Sequence, residues 1–228
     1  DYSPNQNQLE AYNKPAFVKG AHGQGAEFYG DHYLKYNTTH DYGTADYAVS
    51  FWVKDVEMGD GVGGESTIFS ALSGSLGSTG DGAGWQVKVS PTWGIQLLQY
   101  YSGSGGYHGV GIGNSAQSAQ NRAVSSSYLD ASTPEGTSTG GESNGWHHIA
   151  FNVDRSANLT SYFDGVQISS ANISISSSHD IGPESIGDYP KPIIGAKDGN
   201  NIGTPTGFYS GSLDEFRVYK RLLTTSDI

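Results

Sequence analysis

The segment YAVSFWVK, residues 47–54, alternates in a way that restricts the fold more than any other stretch of the chain. Successive side chains of a β-strand point to opposite faces, so every second residue of such a segment shares one face. The residues that share a face here are Tyr47, Val49, Phe51 and Val53. WHHIAFNVD, residues 146–154, repeats the pattern with Ile149, Phe151 and Val153. Both segments therefore predict β-strands that are buried on one side.

The composition favours strands joined by turns over packed helices. The 228 residues include 33 Gly, 15 Tyr, 8 Phe and 4 Trp, and aromatic residues are enriched in strands while glycine is typical of turns. A chain of this length suits one large β domain. It contains no cysteine, which excludes thiolate catalysis and zinc–thiolate clusters.

Charge narrows the range of partners. Acidic residues outnumber basic residues by 23 to 12, which gives a formal net charge of −11. Sequence-independent binding to nucleic acid needs a basic face, so we expect no nucleic-acid partner. The same charge suits solubility and the binding of cations. No apolar run approaches the roughly 20 residues of a membrane-spanning helix, so we expect no membrane insertion.

Two adjacent histidines, His147 and His148, stand in the second alternating segment. By alternation His147 lies on the side of Ile149 and His148 on the side of Trp146. Neighbouring strand residues that face opposite sides cannot bind one metal ion. We therefore interpret both histidines as structural parts of the sheet.

Short polar stretches predict the turns. Asp154 to Asn158 and Asp164-Gly165 bound the segment LTSYFDG, and Asp-Gly is a strong hairpin signal. Ser90 to Trp93 reads as the turn of another hairpin. Residues 113–143 are almost wholly small and polar, and they predict a long loop over one face.

Four stretches in order carry a resemblance to a known family. The resemblance is to the laminin-G-like, concanavalin A-like jelly-roll family, in its LamG type 3 branch. The stretches are DYSPNQNQLEAYNKPAFVKGAHGQGAEFYGDHYL (1–34), YAVSFWVK (47–54), GWHHIAFNVDRSANLTSYFDG (145–165) and GFYSGSLDEFRVYKRLLTTSDI (207–228). The third is similar to the family's Trp-His-His-Val-Ala hairpin, and the fourth to its closing Ile-Asp-Glu-Val-Arg-Ile-Tyr motif.

The resemblance implies an all-β fold, a two-sheet antiparallel jelly-roll sandwich with the N-terminal strand beside the C-terminal strand. It implies a single domain over residues 1–228, which we expect to be excised from a larger protein because the family's usual strand before Asp1 is absent. Trp52 and Trp146 match family core positions, and we expect both to be buried.

Catalysis is not expected. Glycanases on this fold use two carboxylates about 5–5.5 Å apart, a spacing that alternate strand positions provide. No strand of the chain reads Glu-x-Asp, and Asp214 and Glu215 are adjacent, so we expect them to face opposite ways. The motifs Gly-x-Ser-x-Gly and His-Glu-x-x-His are also missing.

Calcium is the expected cofactor, because the family often carries Ca²⁺ where its N- and C-terminal strands meet. Ca²⁺ takes six to eight oxygen ligands, typically carboxylates and turn carbonyls. Asp31, in a Gly-Asp break of residues 26–36, and Asp214, in the closing strand, are the candidate ligands. Alternatively, Asp31 holds a turn and Asp214 caps a bulge by hydrogen bonding. The run Asp198 to Asn201 and the loop residues Asp60 and Asp81 are weaker candidates.

Aromatic residues are candidates for carbohydrate binding, since sugars stack on flat aromatic faces while polar groups orient their hydroxyls. Trp93 stands in a predicted hairpin turn, and further aromatic residues follow it in a Gly/Ser-rich setting. The candidates are Trp93, Tyr100, Tyr101, Tyr107 and His108. Sheet packing is the alternative for the tyrosines, which are good strand residues.

We therefore expect a non-catalytic, lectin-like carbohydrate-binding module with calcium, whose partner is a glycan or polysaccharide. The expected location is extracellular, on a cell surface or on a virion, beside other domains of a larger surface protein. The alternative is a structural or protein-interaction domain of an adhesin or phage virion appendage. An exposed aromatic platform would favour the first hypothesis.

Overall fold

The chain folds into β-sheets. The computed structural model describes residues 9–36, 45–57, 65–73, 83–90, 94–100, 107–112, 145–172, 192–198 and 205–228. Within these ranges all regular structure is β-strand, and no helix occurs there that could cross a lipid bilayer. The predicted all-β fold is confirmed.

Sixteen strands lie in the described ranges. In chain order they are β1 (Leu9–Tyr12), β2 (Ala16–Lys19), β3 (Gln24–Phe28), β4 (Tyr33–Tyr36), β5 (Tyr47–Glu57), β6 (Ser66–Ser73), β7 (Ala83–Ser90), β8 (Gly94–Tyr100), β9 (Tyr107–Ile112), β10 (His147–Val153), β11 (Asn158–Phe163), β12 (Val166–Asn172), β13 (Ile193–Ile194), β14 (Lys197–Asp198), β15 (Pro205–Thr206) and β16 (Ser210–Tyr219).

Two seven-stranded antiparallel sheets form the sandwich. Sheet A has the order β1-β4-β13-β6-β7-β8-β9, and sheet B has the order β12-β11-β10-β5-β16-β3-β2. Strands β14 and β15 form a separate two-stranded sheet. Strand β3, near the N-terminus, pairs with β16, near the C-terminus, as the resemblance implied.

A stack of four aromatic rings crosses the interior from one sheet to the other. Phe69 of sheet A lies 4.4 Å from Trp85 and 5.0 Å from Phe216 of sheet B, and Phe216 lies 5.5 Å from Phe51, between ring centroids. Phe28 belongs to the same core. The two sheets therefore share one hydrophobic interior.

The predicted alternation is confirmed. Tyr47, Val49, Phe51 and Val53 are all buried in the core, and so are Ile149, Phe151 and Val153. β10 pairs with both β5 and β11, which places these two apolar rows side by side in sheet B.

The predicted hairpins are also confirmed. Phe163 and Val166 pair across the Asp164-Gly165 turn, where φ is 46° and 80°. Two successive positive φ angles are those of a type I′ turn, which Asp-Gly sequences favour. Ser90 pairs with Gly94 across the turn predicted before Gly94.

Candidate functional site

A cleft of about 540 Å³ lies on the face of sheet B that is turned away from the core. It is lined by side chains from three neighbouring strands, two turns and the C-terminal residues. The lining residues are His22, Ser50, Trp52, His148, Asp164, Gly165, Glu215, Arg217, Tyr219, Asp227 and Ile228.

The floor of the cleft follows from strand alternation. Ser50 and Trp52 on β5 occupy the positions between the buried residues Val49, Phe51 and Val53, so they face outward. His148 is paired with Trp52 across β10 and β5, and Arg217 is paired with Ser50 across β16 and β5. Cross-strand partners point to the same face.

A β-bulge in β16 places the adjacent residues Asp214 and Glu215 on the same outward face of the sheet. Asp214 pairs with Trp52 and Arg217 with Ser50, so Glu215 and Phe216 both lie opposite Phe51. Glu215 has φ 49°, the left-handed conformation of a bulge residue. The expectation that Asp214 and Glu215 face opposite ways does not hold at this bulge, because Asp214 shares the face of Trp52 and Glu215 lines the cleft.

Trp52 is the aromatic centre of the cleft. Its ring centroid lies 5.1 Å from that of His148, on β10, and 5.3 Å from that of His22, which is bonded to Asp214 of β16. Because β10 and β16 flank β5, the two imidazoles lie on opposite sides of the indole. Trp52 is half-buried, so the expectation that it is a buried core residue is wrong, whereas Trp146 is 2% exposed, as expected.

The carboxylate of Asp214 holds the His22 turn against the sheet. Its Oδ2 accepts a hydrogen bond from the backbone amide of His22 at 2.8 Å, and its Oδ1 accepts one from the amide of Glu215 at 2.8 Å. Gly20 makes room for this carboxylate, since a Cβ at Gly20 would collide with Oδ2. Asp214 therefore positions one wall of the cleft.

Asp164 fixes the opposite wall. Its Oδ1 accepts a hydrogen bond from the backbone amide of His148 at 2.8 Å, and its Oδ2 lies 2.9 Å from Nδ1 of His147. The His147 ring stacks on Phe163, whereas the His148 ring lies against Trp52, so the two histidines face opposite sides as predicted. His148 also lines the cleft, a role that the structural interpretation did not include.

Burial lowers the pKa of His148 below its ordinary value, and the charges of His22 and Arg217 lower it further. The nearby carboxylate of Asp164 acts in the opposite direction but more weakly than burial. A neutral imidazole has one nitrogen that donates and one that accepts. His148 can therefore offer either hydrogen-bonding role to a ligand at neutral pH.

The cationic group of the cleft already has a partner. Arg217 forms an ion pair with Glu215, two residues before it on β16. Its pKa is raised, mainly by a hydrogen bond with Tyr219 and further by Glu215. Arg217, Glu215 and Tyr219 thus form one connected polar side of the cleft.

The C-terminal residues 220–228, which we call the closing segment, cover the end of the cleft beside Tyr219. Asn152 donates to the carbonyl of Leu223 at 2.9 Å and accepts from its amide at 2.8 Å. Within the segment, Arg221 binds both carboxylate oxygens of Asp227, at 2.8 and 3.1 Å. This contact is the main reason why the pKa of Asp227 is far below its ordinary value.

Of the residues predicted to bind carbohydrate, Tyr100, Tyr107 and His108 lie on strands of sheet A. Tyr100 and Tyr107 are cross-strand partners in β8 and β9 of sheet A, and the Tyr100 hydroxyl accepts a hydrogen bond from Gln86. His108 is the cross-strand partner of the buried Gln99. Trp93 and Tyr101 lie outside the described residues, as does the predicted loop at 113–143.

The structure does not bring the predicted calcium ligands together. Gly211 pairs with Phe28, and Asp214 lies three residues along β16 from this pair, level with the start of β3. Asp31 lies beyond the other end of β3, where it is exposed. The Asp214 carboxylate is already bonded to two amides, so these two residues do not fit one Ca²⁺ site. The described residues contain no cluster of three or more His, Asp or Glu that could hold a metal ion, and calcium binding stays a prediction.

Comparison with known proteins places the fold. The sequence profile described as the Concanavalin A-like lectin/glucanases superfamily, laminin-G type 3, matches residues 28–228. No curated protein matches the chain in sequence.

Solved structures similar to this chain include binding domains. The binding domain of Paraclostridial Mosquitocidal Protein 1 matches with a TM-score of 0.65 and 17% identity, over 100% of this chain and 47% of that one. The binding domain of Botulinum Neurotoxin DC, in complex with SialylT, matches with a TM-score of 0.59 and 11% identity, over 100% and 46%. The chain thus spans about half the length of these structures.

A third neighbour is closer to this chain in size. Domain 4 of AbnA, a GH43 extracellular arabinanase from Geobacillus stearothermophilus, in complex with arabinotriose, matches with a TM-score of 0.54 and 19% identity. The match covers 97% of this chain and 85% of that domain. At these identities the likeness establishes the fold alone.

Proposed function

The chain belongs to the laminin-G type 3 family of the concanavalin A-like lectin/glucanase superfamily, and from this membership we propose that it is a non-catalytic carbohydrate-binding module. The observation that carries the proposal is the cleft on sheet B, with Trp52 at its centre between two imidazoles. A concave site with an aromatic surface and a few convergent polar groups is typical of small-ligand binding.

The cleft offers both kinds of contact that a sugar needs. The Trp52 indole provides a flat apolar surface for the C–H groups of a pyranose or furanose ring. Ser50, His148 and Tyr219 provide donors and acceptors around it, and Asp164 adds carboxylate oxygens. Both walls are held by hydrogen bonds to backbone amides, at Asp214 and Asp164, so the site is preorganised.

The carboxylates of the cleft support binding rather than hydrolysis. A glycosidase needs one carboxyl group that keeps its proton and a second carboxylate opposite it. Here Glu215 pairs with Arg217, Asp227 with Arg221, and Asp164 with His147. Each carboxylate thus already has a side-chain partner, and for Asp227 the hydrogen bonds from Arg221 and Thr224 hold the pKa far below its ordinary value, which is unfavourable for a general acid.

The structural neighbours support a binding role, since two are binding domains and one is a domain of an arabinanase in complex with arabinotriose. An extracellular, cell-surface or virion location and attachment to further domains of a larger surface protein belong to the same proposal. Fractionation of cells that express the intact parent protein tests the proposed location.

Substitution of Trp52 tests the proposed site. A glycan array with the wild-type protein identifies ligands, and calorimetry then compares Trp52→Ala with Phe17→Ala. Phe17 lies on the same sheet, is 79% exposed and does not line the cleft, so it controls for the loss of an aromatic side chain. Loss of one such central contact costs about 2 kcal/mol, or roughly thirtyfold in affinity.

The expected result is a loss of that size for Trp52→Ala and none for Phe17→Ala, with circular dichroism and thermal unfolding to verify that both variants fold. Unchanged glycan affinity in a folded Trp52→Ala variant would place the binding site elsewhere. If no glycan binds the wild-type protein, the proposed function is wrong.

A protein-interaction role, in an adhesin or phage virion appendage, is the second candidate. Exposed apolar side chains on edge strands favour it, namely Phe17 on β2 of sheet B and Leu9 on β1 of sheet A. Edge strands with free backbone groups can pair with a partner strand. Binding of a protein partner that Phe17→Ala abolishes and Trp52→Ala preserves would support this role.

A further inference from the structure

We propose that the cleft selects uncharged saccharides and discriminates against saccharides that carry carboxylate groups. This inference rests on the proposed carbohydrate-binding function and specifies the class of ligand. It follows from the charges that face the cleft and from the partners that they already have.

The charges that line the cleft are predominantly negative. Among the described residues that line the cleft, three carboxylates, of Asp164, Glu215 and Asp227, face one guanidinium, of Arg217. Arg221 does not line the cleft, but it binds both carboxylate oxygens of Asp227, so a formal excess of one negative charge remains. The net charge of the whole chain, −11, has the same sign and adds to the local potential.

The guanidinium of Arg217, the one among the described lining residues, is not open to an anionic ligand. Arg217 pairs with Glu215 and is also hydrogen-bonded to Tyr219. A sugar carboxylate could bind Arg217 only by displacing Glu215, and the displaced carboxylate would remain in the cleft beside the new one. His148 offers no compensating positive charge at neutral pH, because burial lowers its pKa.

An uncharged sugar finds matching partners in the same groups. Hydroxyl groups donate hydrogen bonds well to carboxylate oxygens, and such charge-assisted bonds are stronger than neutral ones. Asp164 and Glu215 supply these acceptors on two sides of Trp52, while Ser50 and His148 supply groups that can also donate. The arrangement therefore suits a ring with several free hydroxyls stacked on the indole.

The size of the discrimination follows from Coulomb's law. One excess negative charge at roughly 7 Å from a bound carboxylate in water weakens its binding by about threefold. The effect is larger at low ionic strength and smaller at high ionic strength, because salt screens charges at this distance. Removal of the Glu215 carboxylate, which also releases Arg217, should abolish most of this discrimination.

Matched pairs of oligosaccharides test the proposal. Calorimetry measures galactotriose beside trigalacturonate, and lactose beside sialyllactose, with wild-type protein, at low and at physiological salt. The same titrations are repeated with Glu215→Gln, which removes one carboxylate and frees Arg217. Glu65→Gln is the control, because it removes the same charge from an ion pair, with Lys88, that does not line the cleft.

The expected result is tighter binding of the neutral member of each pair that binds, by about threefold, with near parity in Glu215→Gln and unchanged selectivity in Glu65→Gln. Equal or tighter binding of the carboxylated members by the wild-type protein would overturn the inference and leave carbohydrate binding intact. Equal loss of selectivity in both variants would assign it to net charge rather than to the cleft, and would also overturn it. Absence of binding by all the sugars would remove both this inference and the proposed function.

Discussion

The substitution Asp214→Ala examines how the cleft is held together. Asp214 is 7% exposed, and its two carboxylate oxygens each accept a hydrogen bond from a backbone amide at 2.8 Å, one from His22 and one from Glu215. The first bond ties the β2–β3 turn to the sheet, and the second supports the bulge in β16. Alanine removes both acceptors without disturbing the strand pairing directly.

The expected loss of stability is about 3 kcal/mol, because a hydrogen bond to a charged group contributes about 1.5–3 kcal/mol and the freed amides are partly hydrated after the substitution. In a domain of this size 1 kcal/mol shifts the melting temperature by about 2–4 °C, so we expect a decrease of about 6–12 °C. A typical domain has about 5–15 kcal/mol of stability, so the variant should still fold. We also expect weaker sugar binding, since the His22 wall loses its anchor.

Urea unfolding of the wild type, Asp214→Ala and Asp31→Ala, each with added calcium and with chelator, measures these effects. Asp31→Ala is the matched control, because it removes the same charge from an exposed turn. We expect Asp214→Ala to lose stability equally in both media and Asp31→Ala to stay within roughly 0.5 kcal/mol of the wild type. A loss in Asp214→Ala that occurs only with calcium would refute the amide-acceptor role and restore Asp214 as a metal ligand. Unchanged stability would refute it as well.

Three further predictions concern pH, the core and a turn. Burial lowers the pKa of His148 from its ordinary 6.5, so the unfolded chain binds the proton more readily than the folded one. The free energy of unfolding should therefore fall as the pH drops below 6.5. His148→Gln should reduce this pH dependence in urea unfolding at several pH values, and an equal pH dependence in the variant and the wild type would contradict the prediction. Phe69→Ala should cost about 3–5 kcal/mol, and Phe69→Leu less, because leucine keeps much of the burial and loses only the two ring stacks. Equal costs in chemical unfolding would contradict this prediction, because they would assign the whole loss to the ring contacts. Gly165→Ala should cost about 1 kcal/mol, because φ is 80° there, and a stability equal to the wild type in thermal unfolding would argue against the type I′ turn.

The local pattern of residues in the sequence was sufficient to predict most of the fold. The alternation of residues 47–54 predicted which side chains of β5 enter the core, and Asp164-Gly165 predicted the hairpin between β11 and β12. Both features depend on residues that are close in sequence, through strand periodicity and turn conformation. Such features can be recognised without knowledge of the rest of the chain.

The candidate site could not be predicted in the same way. Trp52 was expected to be buried because it matches a core position of the family, yet it is half-buried on the outer face. The sequence does contain a signal, since Trp52 alternates with the buried residues Phe51 and Val53, and strict alternation places it outside. The predicted binding residues instead followed a local cluster of aromatic residues between 93 and 108, of which Tyr100, Tyr107 and His108 lie on β8 and β9 of the other sheet.

The bulge at Glu215 shows a further limit of periodicity. Strict alternation separates Asp214 from Glu215, but one extra residue in β16 places Glu215 in the cleft and Asp214 on the same side of the sheet. The predicted alternative for Asp214, a hydrogen-bonding role at a bulge, agrees with its bond to the amide of Glu215. Nothing in the order of residues alone marks where a strand gains an extra residue.

The sequence by itself determined the strands, their buried faces and the hairpin turns, because these depend on side-chain periodicity and backbone preferences over a few neighbouring residues. Only the tertiary structure decided that His22, Trp52, His148 and Arg217 surround one cleft, since strand order in sheet B brings together residues far apart along the chain. The charge balance of the cleft follows from the same assembly, because Asp164, Asp227 and the Glu215–Arg217 pair come from separate parts of the chain. Long-range pairing therefore determined the chemistry of the site, whereas short-range pattern determined the scaffold that holds it.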